Sequence, residues 1–176
     1  INTNHNITFN QIKNNINDFI GQSKLNKGNW FSVKDLLVFD GKIFVSFTNE
    51  IEIDCWNTSI IFADLNFTNL QFEYLFKSKD CVNSKNNIDN EFNAHQSGGR
   101  IIGFNDNIIF STGDFRLRNH AQQKKTSLGK IIRMNFKNLD KNKYEILSLG
   151  HRNPQGLLFD EKNNYIISTE HGPNGG

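Results

Sequence analysis

The apolar and polar positions of this chain follow a unit that occurs three times. Each unit has a short apolar run ending in Phe, a polar turn with Asp or Asn, and a second apolar run that closes on Ser. The units occupy residues 33–50, 98–114 and 154–172. Two short apolar runs around a polar turn are typical of a β-hairpin, so the pattern predicts three hairpins.

Further short apolar segments lie between the three units, at residues 58–67, 70–77, 129–136 and 144–150. The Phe residues that end the first runs are Phe39, Phe104 and Phe159, so the unit repeats after 104 − 39 = 65 and 159 − 104 = 55 residues. A period of this length fits a four-stranded antiparallel sheet with long loops. Repeated sheets of this kind are typical of an all-β fold, the β-propeller.

Two other architectures agree less well with the pattern. No long amphipathic helix interrupts the series of strands, which disfavours an α/β fold. A β-sandwich is the main alternative, but its strands should not recur with a shared local pattern. We therefore predict a β-propeller.

The chain length indicates only part of a propeller. About three sheets, or blades, fit into the sequence, whereas known propellers have at least four. The chain starts at Ile1 without a methionine and ends on Gly175-Gly176, directly after a turn-like segment. We therefore expect residues 1–176 to be a partial propeller domain, truncated at both ends. Residues 1–32 are poorly assigned, and 11–22 fit either a short helix or an irregular strand.

Charge and cysteine content narrow the function classes. The net charge of +2 comes without a basic stripe, which argues against a nucleic-acid partner. No apolar run reaches the length of a membrane span. Cys55 and Cys81 match no metal motif, and a disulfide, worth roughly 3 kcal/mol, is as plausible as two reduced thiols.

Three polar, glycine-containing segments depart from the strand pattern: residues 94–100, 111–122 and 150–176. In a propeller, the loops that lead into the innermost strands surround a central channel. His95 precedes the second hairpin, and Arg152 and Asn153 precede the third. We therefore expect these three side chains to converge at one mouth of the channel.

Glycine and proline set the backbone of these segments. Gly98 and Gly99 allow a flat ligand or a neighbouring backbone to approach closely. Pro154 restricts Asn153 to an extended conformation. The Gly172-Pro173 turn has carbonyls that suit calcium, which accepts backbone oxygens as ligands.

Each of these residues also has a purely structural interpretation. His151 is suited to pack beneath its loop, Arg152 to form a surface ion pair, and Asp114 to cap a turn. Residue chemistry alone therefore predicts a propeller with a polar channel mouth and leaves its function open.

The order of several motifs adds a resemblance to a known family. HQSGGR, STGD, SLGKIIRMN, LGHRNPQGLLFD and STEHGPNGG, at these spacings, resemble the soluble glucose/sorbosone dehydrogenases. The pair GHRNPQG and EHGP is specific, and the resemblance covers residues 33–176. It implies a six-bladed β-propeller that uses pyrroloquinoline quinone (PQQ) and calcium to oxidise sugars.

The resemblance implies a role for each candidate residue. His95 matches the general base, which takes the proton of the sugar hydroxyl. Arg152 and Asn153 match residues that contact PQQ, and Gly172 and Pro173 match those whose carbonyls hold the calcium ion. It also implies a small sugar substrate, an external electron acceptor, a periplasmic or secreted location, and a possible homodimer.

One departure and two alternatives remain open. Ala94 stands where glucose-oxidising members have Asp, which leaves the sugar undefined. Some similar propellers are binding modules without redox activity, and this is the main alternative function. A lactonase-type propeller would instead need acidic metal ligands, for which Glu170 and Asp114 are the candidates.

Overall fold

Antiparallel pairing between consecutive strands builds most of the fold. The computed structural model describes residues 10–26, 30–88, 90–138 and 143–172. The first strands of the described chain are β1 (Lys13–Asn14), β2 (Val33–Phe39), β3 (Lys42–Glu52), β4 (Cys55–Asp64), β5 (Asn69–Leu70), β6 (Glu73–Phe76) and β7 (Val82–Asn83). They are followed by β8 (Gly98–Phe104), β9 (Asn107–Thr112), β10 (Lys130–Asn135), β11 (Glu145–Leu149), β12 (Pro154–Asp160) and β13 (Tyr165–Glu170). The helices are α1 (Asn17–Ile20), α2 (Gln22–Leu25) and α3 (Arg118–Ala121).

The strands form sheets in the order that the sequence pattern predicts. The first sheet runs β2-β3-β4-β6, and β7 also pairs with β4. The second sheet consists of β8, β9, β10 and β11 in chain order, and β12 pairs with β13. The three predicted hairpins are therefore confirmed as β2–β3, β8–β9 and β12–β13. The predicted intervening strands are confirmed as β4, β6, β10 and β11.

Polar turn residues allow the hairpins to reverse direction. Asp40 and Gly41 have positive φ angles of 47° and 70° in the first turn. Asn105 has φ 50° in the second turn, and Asn164 has φ 57° in the third. Asn, Asp and Gly tolerate this left-handed conformation better than other residues, which explains why they separate the apolar runs.

The main hydrophobic core lies between the first and second sheets. Its buried side chains come from β3, β4, β6, β8, β9 and β10: Phe44, Ile60, Phe62, Leu75, Phe76, Ile101, Ile108, Phe110, Ile132 and Met134, with Phe136 just beyond β10. The innermost strand β8 contacts both β2 and β12. Two sheets packed through their first strands and faces have the arrangement of neighbouring propeller blades.

The repeated Phe residues link adjacent units. The Phe39 ring lies directly over Gly103, where an added Cβ would come within 2.5 Å of ring atoms. The rings of Phe104 and Phe159 have centroids 4.2 Å apart. The repeat therefore places each of these residues where one unit meets the next.

A smaller core covers the other face of the first sheet. Ile20 of α1 packs with Val45, Phe47 and Ile61 of that sheet. β1 pairs in parallel with β5. The segment at residues 11–22 thus contains both a two-residue strand and a short helix, the two alternatives that its sequence left open.

Cys55 and Cys81 form a disulfide bond, with their Cα atoms 5.3 Å apart. The bond ties the start of β4 to the residue before β7. Beside it lies a third apolar cluster, which includes Phe31, Trp56 and Phe115. The same cluster contains Trp56 and Val82, which follow the two cysteines, and Ala94, which precedes His95.

Candidate active site

Three polar segments meet where the innermost strands β8 and β12 begin. The Arg152 Nε–H donates to Oε1 of Gln96 across 3.4 Å. The backbone N–H of Asp114 donates to the Arg152 carbonyl at 2.9 Å, and that of Phe115 donates to the Gln96 carbonyl at 3.0 Å. The segments around His95, Asp114 and Arg152, although distant in sequence, therefore form one surface.

His95 lies on this surface with its side chain exposed. Its backbone N–H donates to Oδ1 of Asn93 at 2.9 Å, which fixes the turn that presents the ring. Trp30 lies beside the imidazole, with the two ring centroids 5.5 Å apart. The next residue, Gln96, is buried and contacts Arg152, so the imidazole stands at the edge of a rigid segment.

Arg152 is held by its backbone and leaves most of its guanidinium available. Its N–H donates to Oε2 of Glu170 at 3.0 Å. The same carboxylate oxygen lies 3.6 Å from Nδ1 of His151, whose Nε2 is 2.8 Å from Oγ of Ser148. Among the described residues, the guanidinium forms no ion pair with a carboxylate. The His151 ring is thus held between Ser148 and Glu170.

Asn153 connects the Arg152 loop to the His95 loop. It is 4% exposed, and its Oδ1 accepts the Gly98 N–H at 3.1 Å. The Asn153 carbonyl also accepts the His171 N–H at 3.2 Å. In this structure the carbonyl oxygen of the side chain therefore holds the His95 loop against the start of β12.

Gly98 and Gly99 allow neighbouring parts of the protein to approach. They have φ angles of +61° and +102°. A Cβ on Gly98 would lie 2.9 Å from the Thr112 carbonyl carbon, and one on Gly99 would lie 2.5 Å from Cβ of Lys34. Of the two alternatives that the sequence left open, the structure shows the close approach of protein atoms.

Asp114 is a buried carboxyl of the site whose pKa is shifted. It is 2% exposed, and its Oδ1 accepts the Arg116 N–H at 2.8 Å. Burial raises the pKa of the Asp114 carboxyl above its ordinary value of 3.8, although the Arg116 N–H and the charges of Arg152 and Arg118 act in the opposite direction. The nearby Glu170 carboxylate raises this pKa further.

A cavity of about 360 Å³ opens beside Arg152. It is lined by Asp114, Arg118, Ala121, Gln122, Gly150 and Arg152. His95 does not line this cavity. Arg152 therefore lines the cavity and also contacts Gln96, the residue that follows His95.

The predicted calcium ligands are only partly within the described chain. Gly172 follows β13 and is partly buried, whereas Pro173 lies outside the described residues. Within the described ranges, no group of three or more His, Cys, Asp and Glu side chains is arranged to hold a metal ion. Glu170 and Asp114, the acidic candidates of the lactonase alternative, bind backbone N–H groups of Arg152 and Arg116.

Ala94 is fully buried in the third apolar cluster, with Phe31 and Phe115 among its members. An Asp at this position would place a carboxylate among aromatic and aliphatic side chains, which is costly without a partner. The small apolar residue therefore matches its surroundings in this chain.

The sequence did not predict the observed contacts of two residues at or near the site, Gln96 and Lys130. Gln96 lies inside the quoted HQSGGR motif, but the motif gives no sign that its side chain reaches Arg152. Lys130 lies inside SLGKIIRMN and is fully buried, which a charged residue at a strand start does not suggest. Both roles depend on contacts between segments distant in the sequence.

The fold and the site define an all-β, propeller-type chain with a polar surface at the starts of its inner strands. A model of the family "Glucose / Sorbosone dehydrogenase" matches residues 39–176. This match extends over most of the chain, and the protein belongs to that family.

Two curated relatives match parts of the sequence. An uncharacterised protein of Synechocystis is 43% identical over 74 residues, which cover 36% of this chain and 18% of that protein. Quinoprotein glucose dehydrogenase B of Acinetobacter calcoaceticus is 33% identical over 107 residues, which cover 46% of this chain and 22% of that protein. The chain thus matches only about a fifth of the length of each relative.

Solved structures share the fold at low sequence identity. A glucose dehydrogenase matches with a TM-score of 0.66 and 22% identity, over 84% of this chain and 49% of that one. The apo form of the soluble aldose sugar dehydrogenase of Escherichia coli gives 0.64 and 21%, over 82% and 44%. The PQQ-bound aldose sugar dehydrogenase of Streptomyces coelicolor gives 0.57 and 22%, over 77% and 39%. These matches support the predicted propeller-type fold.

None of the described helices is long and apolar enough to cross a membrane.

Proposed function

We propose that this chain provides the catalytic base and part of the cofactor surface of a PQQ-dependent dehydrogenase that oxidises an aldose or a related sugar aldehyde. The observation that carries the proposal is the contact between Gln96 and Arg152, which joins the His95 loop to the Arg152 loop. Membership of the glucose/sorbosone dehydrogenase family and the 33% identity to a quinoprotein glucose dehydrogenase support it.

The Arg152 guanidinium suits an acidic ligand such as PQQ. The Arg152 guanidinium has donors to spare, because its one side-chain bond among the described residues is the long contact to Gln96. A guanidinium without a carboxylate partner suits an anionic ligand oxygen. When bound, PQQ would supply the quinone group that takes up the hydride of the sugar.

His95 is suited to accept the proton of the sugar hydroxyl. Histidine is the residue type that most often serves as a general base, because a neutral imidazole nitrogen can accept a proton. Its exposed position gives a substrate access, while the Asn93 contact and the buried Gln96 fix the segment that carries the ring. We assign the role of general base to His95.

Arg152 and Asn153 would act differently on the same ligand. Arg152 would place positive charge beside an oxygen that gains negative charge during the reaction. Asn153 would keep the two loops in register, since its Oδ1 is bound to Gly98, and leave its amide for a direct contact. The carbonyls of Gly172 and Pro173 would hold a calcium ion, whose preferred ligands are oxygen atoms.

The proposal also covers the electron acceptor, the cellular location and the assembly of the protein. We expect an external electron acceptor, and a periplasmic or secreted location with a homodimer as a possible assembly. The Cys55–Cys81 disulfide supports such a location, because disulfides persist in oxidising compartments.

The test uses the full-length protein, prepared without cofactor and then supplied with calcium and PQQ. Dye reduction is followed over a panel of aldoses, and PQQ binding is measured separately. We expect activity that depends on PQQ and that falls by about 10²- to 10⁴-fold in His95→Ala, with PQQ binding retained. Gln123→Ala, at an exposed position, is the control and should retain full activity.

Two results would contradict this function. A full-length protein that does not bind PQQ would favour the non-catalytic binding module. Full activity in His95→Ala would show that His95 is not the general base and that another group accepts the proton.

A further inference from the structure

Lys130 is a fully buried cation close to the proposed site. It is the first residue of β10, and its relative exposure is 0%. Its Nζ donates to three backbone carbonyls: Leu128 at 2.6 Å, Ala121 at 2.8 Å and His120 at 3.0 Å. These three bonds use all the donors of an ammonium group.

The environment of this ammonium is built from carbonyl dipoles. Among the described residues it forms no ion pair with a carboxylate, although the charge of Asp80 acts on it from a distance. Burial lowers the pKa of Lys130, with Asp80 acting in the opposite direction. A buried ammonium is costly unless its donors are satisfied, so its retention at this point requires the three carbonyls.

The same carbonyl-bearing segment holds the loop of Arg152. The Ala121 carbonyl, which Lys130 binds, also accepts the Gly150 N–H at 2.8 Å. The Gly129 carbonyl, next to Lys130, accepts the His151 N–H at 3.1 Å. The ammonium therefore closes the end of α3 and residues 128–130 into one unit, on which residues 150 and 151 rest.

This unit is closely packed around Gly129. Gly129 has φ +64°, and a Cβ at this position would lie 2.6 Å from Cβ of Ala121. Ala121 and Gly150 also line the cavity beside Arg152. A shift of the Ala121 carbonyl would therefore move both the cavity wall and the backbone that precedes Arg152.

We propose that Lys130 is a positioning residue of the cofactor site, whose ammonium gathers three carbonyls and thereby sets the position of Arg152 relative to Gln96. It does not touch the ligand and acts through Ala121, Gly150 and His151. This inference rests on the proposed function only where it concerns PQQ, since the effect on the loop is a property of the protein alone.

The first test measures the loop without cofactor. Amide hydrogen exchange of the full-length protein is compared between the wild type, Lys130→Met, Lys130→Gln and the control Ile132→Val. Met removes all the donors at similar length, and Gln is the milder change if Met prevents folding. We expect the amides of Gly150 and His151 to exchange at least about tenfold faster in both variants, with the central amides of β9 unchanged.

The second test measures the ligand site. Lys130→Gln should weaken PQQ binding or lower kcat at saturating PQQ by about tenfold to a hundredfold, because small displacements in a site have effects of this size. Ile132→Val, two residues further along β10 and equally buried, is the matched control. It should lower the Tm while leaving the PQQ affinity and kcat unchanged.

The outcomes separate the two proposals. Unchanged exchange at Gly150 and His151 in a folded Lys130 variant would overturn the positioning role. Uniformly faster exchange, equal to that of Ile132→Val, would show a general loss of stability and would overturn it as well. Faster local exchange in the Lys130 variants, together with a wild-type protein that does not bind PQQ, would support the positioning role while contradicting the proposed function.

Discussion

The second and third hairpins have the same local sequence pattern but different surroundings. Ile108 of β9 pairs with Gly103, and Ile167 of β13 pairs with Leu158, so each lies opposite the residue before the repeated Phe. Ile108 is 0% exposed, whereas Ile167 is 48% exposed. The pattern therefore determines strand pairing, while burial depends on which sheets cover the hairpin.

The difference follows from the neighbours of each hairpin. β9 is paired on its other edge with β10, and its side chains face the core between two sheets. Within the described chain, β13 pairs only with β12. The third hairpin is held chiefly at β12, where the Ser111 Oγ–H donates to the Pro154 carbonyl at 3.0 Å and Phe159 packs on Phe104.

The largest expected effect compares Ile108→Ala with Ile167→Ala. Removing a fully buried Ile side chain leaves a cavity, so Ile108→Ala should lower the free energy of unfolding by about 2–5 kcal/mol. Ile167→Ala removes a half-exposed side chain and should cost less than about 1 kcal/mol. Urea unfolding of the 176-residue chain measures both values. Equal losses would mean that other atoms cover the third hairpin.

The same comparison explains how much of the fold the sequence predicts. Alternating apolar runs around Asp-Gly and Asn turns are local signals, so all three hairpins were predictable. The burial of Ile108 requires side chains from β4 and β6, tens of residues away, and no local pattern reports them. The Cys55–Cys81 pairing also required a distance, since two cysteines alone are compatible with free thiols.

The candidate site was predictable in its location and less so in its contacts. Loops that precede inner strands meet around the axis of a propeller, which is why His95 and Arg152 were expected together. The partner of Arg152 is Gln96, whose side chain carries no signal of this contact. Lys130 was missed because its environment is made of backbone carbonyls, and these leave no trace in the residue types of a sequence.

The next effect concerns the polar connection between the second and third hairpins. Asn153→Ala would leave the Gly98 N–H without its acceptor, in a partly buried position. Loss of such a bond should reduce the free energy of unfolding by about 1–3 kcal/mol, measured by urea unfolding. Since the bond joins the two hairpins, we expect the amides of β12 and β13 to exchange faster as well.

Asn163 provides the control for this change. It lies in the exposed turn of the third hairpin, and its bonds are to Asp160 of the same turn. Asn163→Ala should change the free energy of unfolding by about 0.5 kcal/mol or less. If the two variants were equally stable, the Asn153–Gly98 bond would contribute no more than a local turn contact.

The smallest expected effect is a pH dependence that has opposite signs at Asp114 and at Asp160. Burial raises the pKa of Asp114, so its contribution to stability is fully present at low pH and is lost as the pH rises through the folded-state pKa. Hydrogen bonds from Asn163 lower the pKa of Asp160, so its contribution to stability is lost as the pH falls.

Between about pH 4 and 7, the stability of the wild type relative to Asp114→Asn should therefore fall, by less than about 1 kcal/mol. Relative to Asp160→Asn, it should rise from pH 3 to about 5. Urea unfolding across this range measures both differences. Slopes of the same sign would show that the Arg116 N–H and the nearby arginine charges lower the pKa of Asp114 more than burial raises it.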